Sequence, residues 1–205
     1  MEFLTISSAS EGLYRAKGSK FLAFAYPVSN EEEVKEKLEF LRKKYFDARH
    51  HCYAYRLGPG GERYRACDDG EPANSAGKPI LGQLIANNLT NVLVVVVRYF
   101  GGILLGAGGL VQAYKQATAD ALAYAEIVTE AVTETWQLTF AYRDMNLVLK
   151  VMKDLNLKYD PPNFNMSCDR LDEINYTMNV QVRKNLSERM KERLEHIESI
   201  KISFC

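Results

Sequence analysis

Three short stretches hold most of the side chains that could do chemistry. They are DARHH (Asp47 to His51), CDDGEP (Cys67 to Pro72) and RYFGGILLGAGGL (Arg98 to Leu110). In the third, an arginine is followed by five glycines, Gly101, Gly102, Gly106, Gly108 and Gly109, leading into an apolar helical pattern. Such a junction can take an anion. Glycines let backbone N–H groups approach a ligand, a helix N-terminus offers unpaired donors and a positive dipole end, and a guanidinium adds a bidentate contact. The same residues also suit tight turns and close helix-to-sheet packing, with Arg98 held in a salt bridge. The Gly101/Gly106 spacing is that of a phosphate-binding P-loop, but Ala107 and Gly108 stand where Lys and Ser or Thr are needed, and no G-x-G-x-x-G occurs.

The first two stretches supply imidazoles and carboxylates, the materials of general acid–base chemistry or metal binding. Candidates are Asp47, Arg49, His50, His51, Asp68, Asp69 and Glu71, with Lys78 a further cation close by in sequence. Adjacent histidines on a strand point to opposite faces, so one of the pair turns inward. No H-x-H or H-x-x-x-H is present, so no metal and no cofactor is expected. Asp68 to Pro72 also reads as a turn held by its own Asx side chains. Ser75 lies in NSAG rather than a G-x-S-x-G elbow, and Cys52 and Cys67 read as inert thiols, so no catalytic residue is assigned. Tyr53, Tyr55, Tyr64, Tyr99 and Phe100 lie among Arg49, Arg56, Arg63, Arg65 and Arg98. That mixture suits single-stranded nucleic acid, or the aromatics are core.

The elements that must position these residues follow from periodicity. Residues 11–28 form two extended segments around Gly18. Ser29 and Glu32 then open a helix by a capping box, and Val34, Leu38, Leu41 and Tyr45 lay an apolar stripe along it. Residues 50–66 make a hairpin about the GPGG turn. Pro79 starts a helix with Ile80, Leu81, Leu84 and Ile85, and VLVVVV (Val92 to Val97) is a strand covered on both faces. A helix over about 108–126 closes the unit. The rhythm then changes to strand 134–142, helix 144–155, strand-like runs 157–168 and 174–182, a helix capped by Asn185 and Glu188, and a final IKISF strand. That βαββαβ order is the ferredoxin-like arrangement. The expectation is therefore an α+β chain with domains at 1–130 and 131–205.

Composition narrows the function classes. In the 205 residues, 26 basic side chains balance 26 acidic ones, and the first 128 residues carry 15 basic against 14 acidic. A polyanion partner would therefore need a local patch rather than a basic arm. The four cysteines form no C-x-x-C, which fits reduced thiols. The N-terminal stretch lacks a signal-peptide pattern and no apolar run could span a bilayer, so a soluble cytoplasmic protein with no membrane partner is expected.

SKFLAFAYPV, DARHHCYAYRLG, CDDGEPANSAGKPIL and VVVVRYFGGILLGAGGLVQAY, in that order, resemble the YigZ/Impact family over about residues 15–125. The resemblance implies an N-terminal fold like the second domain of a small-subunit ribosomal protein. Residues 133–205 resemble the C-terminal domain of YigZ proteins, similar to a ferredoxin-like domain of elongation factor G. Impact is associated with translational control, so the implied partners are RNA, the ribosome or a translation factor. An enzyme acting on a phosphorylated or other anionic small molecule at the Arg98 junction is the alternative. Asp47, Arg49, His50, His51, Asp68, Asp69, Gly70, Glu71, Pro72, Arg98, Gly101, Gly102, Gly106 and Gly109 match the family's marked positions.

Overall fold

The computed structural model describes residues 2–165 and 175–205, and the chain is α+β as expected. Its contacts divide it into two compact units, Glu2–Glu130 and Ala131–Cys205. The first contains, in order, β1 (Glu2–Ile6), β2 (Ser10–Ala16), β3 (Ser19–Pro27), α1 (Glu31–Lys44), β4 (His50–Leu57), β5 (Arg63–Cys67), α2 (Gly77–Ala86), β6 (Val92–Tyr99) and α3 (Gly106–Ala123). A further strand, β7 (Ile127–Ala131), runs up to the division and pairs with β1 in a two-stranded ribbon.

The main sheet has the order β2-β3-β6-β4-β5, antiparallel throughout. Every side chain of β6 from Val92 to Arg98 is buried, because helices cover both faces. Val92, Val94 and Val96 join Phe21, Ala23, Cys52 and Ala54 beneath α2 and α3. Leu93, Val95 and Val97 join Phe24, Tyr53 and Tyr55 beneath α1. Burying a valine contributes about 1.5 kcal/mol or more, so an unbroken apolar run is stable here, whereas alternation would leave polar groups under a helix.

Local details depart from the sequence reading. The cap of α1 sits one residue later than the Ser29/Glu32 pair: the Asn30 side chain accepts from Glu33 N at 2.9 Å, and Glu33 Oε2 accepts from Ser29 N. Half of the box is present, with Asn as the acceptor, while Glu33 reaches back to the N–H of the residue before the cap instead of to the cap's own. Helix α2 starts at Gly77, ahead of Pro79, because Asp68 reaches across to its first N–H groups. Ile85, expected in the apolar stripe of this helix, is instead 56% exposed. Helix α3 starts at Gly106 rather than 108.

The second unit runs β8 (Thr133–Ala141), α4 (Met145–Asp154), β9 (Lys158–Tyr159), β10 (Asn163–Asn165), β11 (Asn175–Arg183), α5 (Ser187–Leu194) and β12 (Lys201–Phe204). Its sheet order, β10-β11-β8-β12 with β9 also on β11, is the ferredoxin-like order with the second strand split into two short pieces. One face carries Leu138, Phe140, Met178 and Val180 against Val148, Met152, Met190 and Leu194. The predicted strand runs reach into residues 166–174, and those positions, Cys168 among them, lie outside the described residues. Asn185 and Glu188 do not cap α5: a 3-10 turn at Lys184–Leu186 precedes the helix, and Glu188 instead pairs with Lys191 at 2.9 Å. No helix among the described residues is long and apolar enough to cross a membrane.

Candidate functional site

Strand register brings the polar stretches together. In the β4/β6 pair, His50 lies opposite Arg98 and His51 opposite Val97. Alternation therefore sends His50 and Arg98 to the α2/α3 face and His51 to the α1 face. Strand β5 ends at Cys67, paired with Tyr53, and the chain then continues as Asp68–Glu71 alongside the start of β4. It stays there through three contacts: Cys52 Sγ lies 2.9 Å from the Asp68 carbonyl, His51 N donates to Asp69 Oδ2 at 2.7 Å, and His50 Nδ1 meets the Asp69 carbonyl at 2.8 Å. A carbonyl only accepts, so His50 Nδ1 is the donor in that contact, and Nε2 on the other side of the ring lies 4.0 Å from Glu71 Oε1.

Glu71 is the hub. Its Oε1 accepts from Arg98 Nη1 at 2.6 Å and from the Tyr114 hydroxyl at 2.8 Å, with Glu71 and Arg98 side chains only 3% and 7% exposed. The Tyr114 hydroxyl also lies 3.2 Å from Cys52 Sγ. Burial pushes the Cys52 thiol well above the ordinary range, with nearby carboxylates adding to the shift, so Cys52 is not an activated nucleophile. Burial likewise pushes the Tyr114 phenol up, and its proton stays in place to bond Glu71. The Arg98 guanidinium lies over the rings of Phe21 and Phe100, 5.4 and 5.6 Å from their centroids, and its Nε has no partner among the described residues. Arg98 is thus committed to Glu71 and walled by aromatics, so it shapes the junction from beneath instead of presenting a free cation.

Asp68 fixes the rest of the segment. Its two oxygens accept from Asn74, Ala76 and Gly77 N–H groups at 2.8–3.0 Å, supplying from outside the cap that α2 lacks at Ala76. Asp69 takes a left-handed φ of +42°, which Asp tolerates, and its carboxylate faces Arg42 at 3.5 Å. Ser75 donates to the Pro72 carbonyl at 2.6 Å, consistent with a turn-forming role.

The glycines separate into two kinds. Gly101 is there for packing: a Cβ would fall 1.9 Å from the Gly18 carbonyl carbon, and its N–H donates to Ser19 Oγ at 3.1 Å. Gly102 and Gly106 have φ of +86° and +71°, with open space where a Cβ would stand, and Gly108 meets open space without any unusual φ. A Gly109 Cβ would touch only Leu105. The first turn of the 18-residue α3 therefore has no side-chain cap, no acidic residue and a bare outer surface. Its unpaired N–H groups carry the positive end of the helix dipole. The β2–β3 turn that touches Gly101 adds the cations Arg15, Lys17 and Lys20, which line a shallow pocket with Gly18 and Ser19 and form no ion pair among the described residues.

The structure thus gathers His50, Asp68, Asp69, Glu71 and Arg98 into one network, with the glycine junction above it. Asp47 belongs elsewhere, accepting from the Tyr99 hydroxyl at 2.8 Å on the surface. Burial and that carboxylate push Tyr99 up to about 12. Arg49 and Lys78 are exposed, and His51 packs beneath α1, where burial lowers its pKa. Tyr53 and Tyr55 are core, whereas Tyr64 and Phe100 are 65% and 48% exposed. Sequence reasoning missed Tyr114, which lies inside the helix expected over about 108–126 with no local sign of its bond to Glu71. It also missed the Arg15/Lys17/Lys20 turn, although the cations flanking Gly18 were a legible signal. Among the described residues, no group of three or more His, Cys, Asp or Glu side chains could hold a metal ion.

A family model described as the Impact N-terminal domain matches residues 17–122. The IMPACT family member YvyE of Bacillus subtilis is 29% identical over 187 residues, covering 91% of this chain and 81% of that protein. The IMPACT family member YigZ of Escherichia coli is 45% identical over 100 residues, 48% of this chain and about half (49%) of that protein. Among solved structures, the crystal structure of a hypothetical protein is 27% identical, with a TM-score of 0.76 across 98% of this chain and 96% of the other.

Proposed function

The chain belongs to the Impact family, and from that membership we propose a binding protein of translational control whose glycine junction engages the ribosome or its RNA. One observation supports this reading most directly: the segment that leads into the uncapped start of α3 is packed at Gly101 against the Gly18 turn, which bears Arg15, Lys17 and Lys20. Helix-start donors and dipole, with unpaired cations on the turn that Gly101 touches, suit a phosphate-rich partner, and the overall neutral charge means such binding must rest on a local patch. Arg98, Glu71, Tyr114 and His50 hold the junction in shape from below. Among the described residues, Cys52 is buried with a raised pKa and Ser75 is bonded to a carbonyl, and neither geometry favours a nucleophilic enzyme at this site.

The test is fluorescence titration with single-stranded RNA and co-sedimentation with ribosomes. Wild type binds at low salt and releases as salt rises. Gly108→Glu, which meets open space and places an acid where a helix start tolerates it, stays folded and loses binding. Wild type failing to bind either partner at low salt would sink the proposal.

A further inference from the structure

The second unit has a recess on its helical side that the glycine junction does not use. It is lined by Leu147, Lys150, Val151 and Asp154 of α4, by Arg193 of α5 and by His196 and Ile197 in the turn after it. On α4 the lining positions fall at i, i+3, i+4 and i+7, so one stripe of that helix faces a trough closed by the last turn of α5 and the turn that follows it. The α4 stripe is about 10 Å long at the helical rise. The floor is apolar: Ile197 is nearly buried, Val151 half-buried, and Leu147 remains 53% exposed.

The rim selects the occupant. Among the described residues, Asp154 is the only carboxylate lining the trough, and Arg193 neutralises it at 3.2 Å. Lys150 has no ion-pair partner among the described residues, so with Asp154 and Arg193 paired the charge left over around the apolar floor is the positive one of Lys150. A trough two turns long with an apolar floor and a cationic rim complements one kind of partner: an amphipathic helix with Leu-type anchors at i, i+3 or i+4 and i+7, flanked by Asp or Glu. We propose that the α4/α5 trough is a docking site for such an acidic amphipathic segment of a partner protein. This site is separate from the glycine junction, so the second unit would contribute a protein contact of its own.

The test is fluorescence anisotropy of the whole chain with three labelled 14-residue helical probes: one with Leu anchors and Glu flanks, one with the same anchors and Lys flanks, and one with Glu flanks and Ser in place of Leu. The Leu/Glu probe binds, and each of the other two binds at least roughly tenfold more weakly, a loss typical of removing one anchor or the matching charge at an interface. Leu147→Glu, an exposed position, abolishes binding of the Leu/Glu probe, and Lys150→Glu shifts preference toward the Lys-flanked probe. Circular dichroism of both variants checks that the unit is folded. No binding of the Leu/Glu probe, equal binding of both charge types, or binding indifferent to Lys150→Glu would overturn the proposal. RNA titrated against Lys150→Glu distinguishes the two sites, since that variant leaves RNA binding at the glycine junction intact.

Discussion

Replacing Glu71 by Ala should be among the most damaging single changes in the first unit. The substitution removes the acceptor of Arg98 Nη1 at 2.6 Å and of the Tyr114 hydroxyl at 2.8 Å. What remains is a guanidinium 7% exposed, between Phe21 and Phe100, with Nε already unpartnered. Water cannot easily resolvate it. Breaking a buried pair by deleting one partner costs about 3–5 kcal/mol, and at roughly 3 °C per kcal/mol for a chain of this size the melting temperature falls by about 10–15 °C. Arg98→Met is milder, because it leaves a carboxylate that can take a proton and keep its bond to Tyr114. The pair Glu71→Leu with Arg98→Met restores much of the loss, since a buried ion pair and a well-packed apolar pair are often close in free energy. Urea denaturation of wild type, both single variants and the double closes the cycle. A Glu71→Ala penalty under about 1 kcal/mol, or a double variant as unstable as the sum of the singles, would refute the account of Glu71 as a buried hub.

Other consequences can be checked with the same protein. Gly101→Ala should destabilise strongly or prevent folding, because its Cβ would overlap the Gly18 backbone, whereas Gly108→Ala should stabilise by up to about 1 kcal/mol through helix propensity; thermal melts separate them. Asp68→Ala frees three N–H groups at the start of α2 and should cost about 1–2 kcal/mol, with faster amide exchange at Asn74, Ala76 and Gly77. Burial lowers the His51 pKa below the free value of about 6.5, so the unfolded chain binds its proton more readily. That part of the stability is complete above about pH 6.5 and declines as pH falls toward the folded value, and in His51→Gln the same denaturation series should show a smaller acid-side loss.

The buried β6 run, the α1 stripe and the βαββαβ order were legible because each rests on periodicity of 2 or 3.6 residues, which sequence displays directly. The polar network was half legible. DARHH, CDDGEP and Arg98 stood out by residue type, but their meeting depends on the register that sets His50 opposite Arg98 and lets Asp68–Glu71 run beside β4. Strands β4 and β6 are not joined by a hairpin, so no turn fixes their register and the sequence does not display it locally. The role of Arg98 was undecidable for the same reason: the carboxylate that occupies it lies 27 residues away. Capping was misplaced at α1 because Ser29 and Asn30 are both competent acceptors and the backbone geometry chooses between them, and at α5 because a 3-10 turn leads into a helix start that has no side-chain cap.

The central claim is that the exposed glycine junction and its neighbouring cations bind a phosphate-rich partner. The most direct measurement is the salt dependence of single-stranded RNA affinity for wild type against Lys17→Glu/Lys20→Glu, both folded by circular dichroism. Three phosphate contacts predict a slope of log affinity on log salt near −2, about −0.7 for each, and removing two cations should flatten it by about 1.4. Equal slopes and affinities in the two proteins, or no RNA binding by wild type at low salt, would contradict the account.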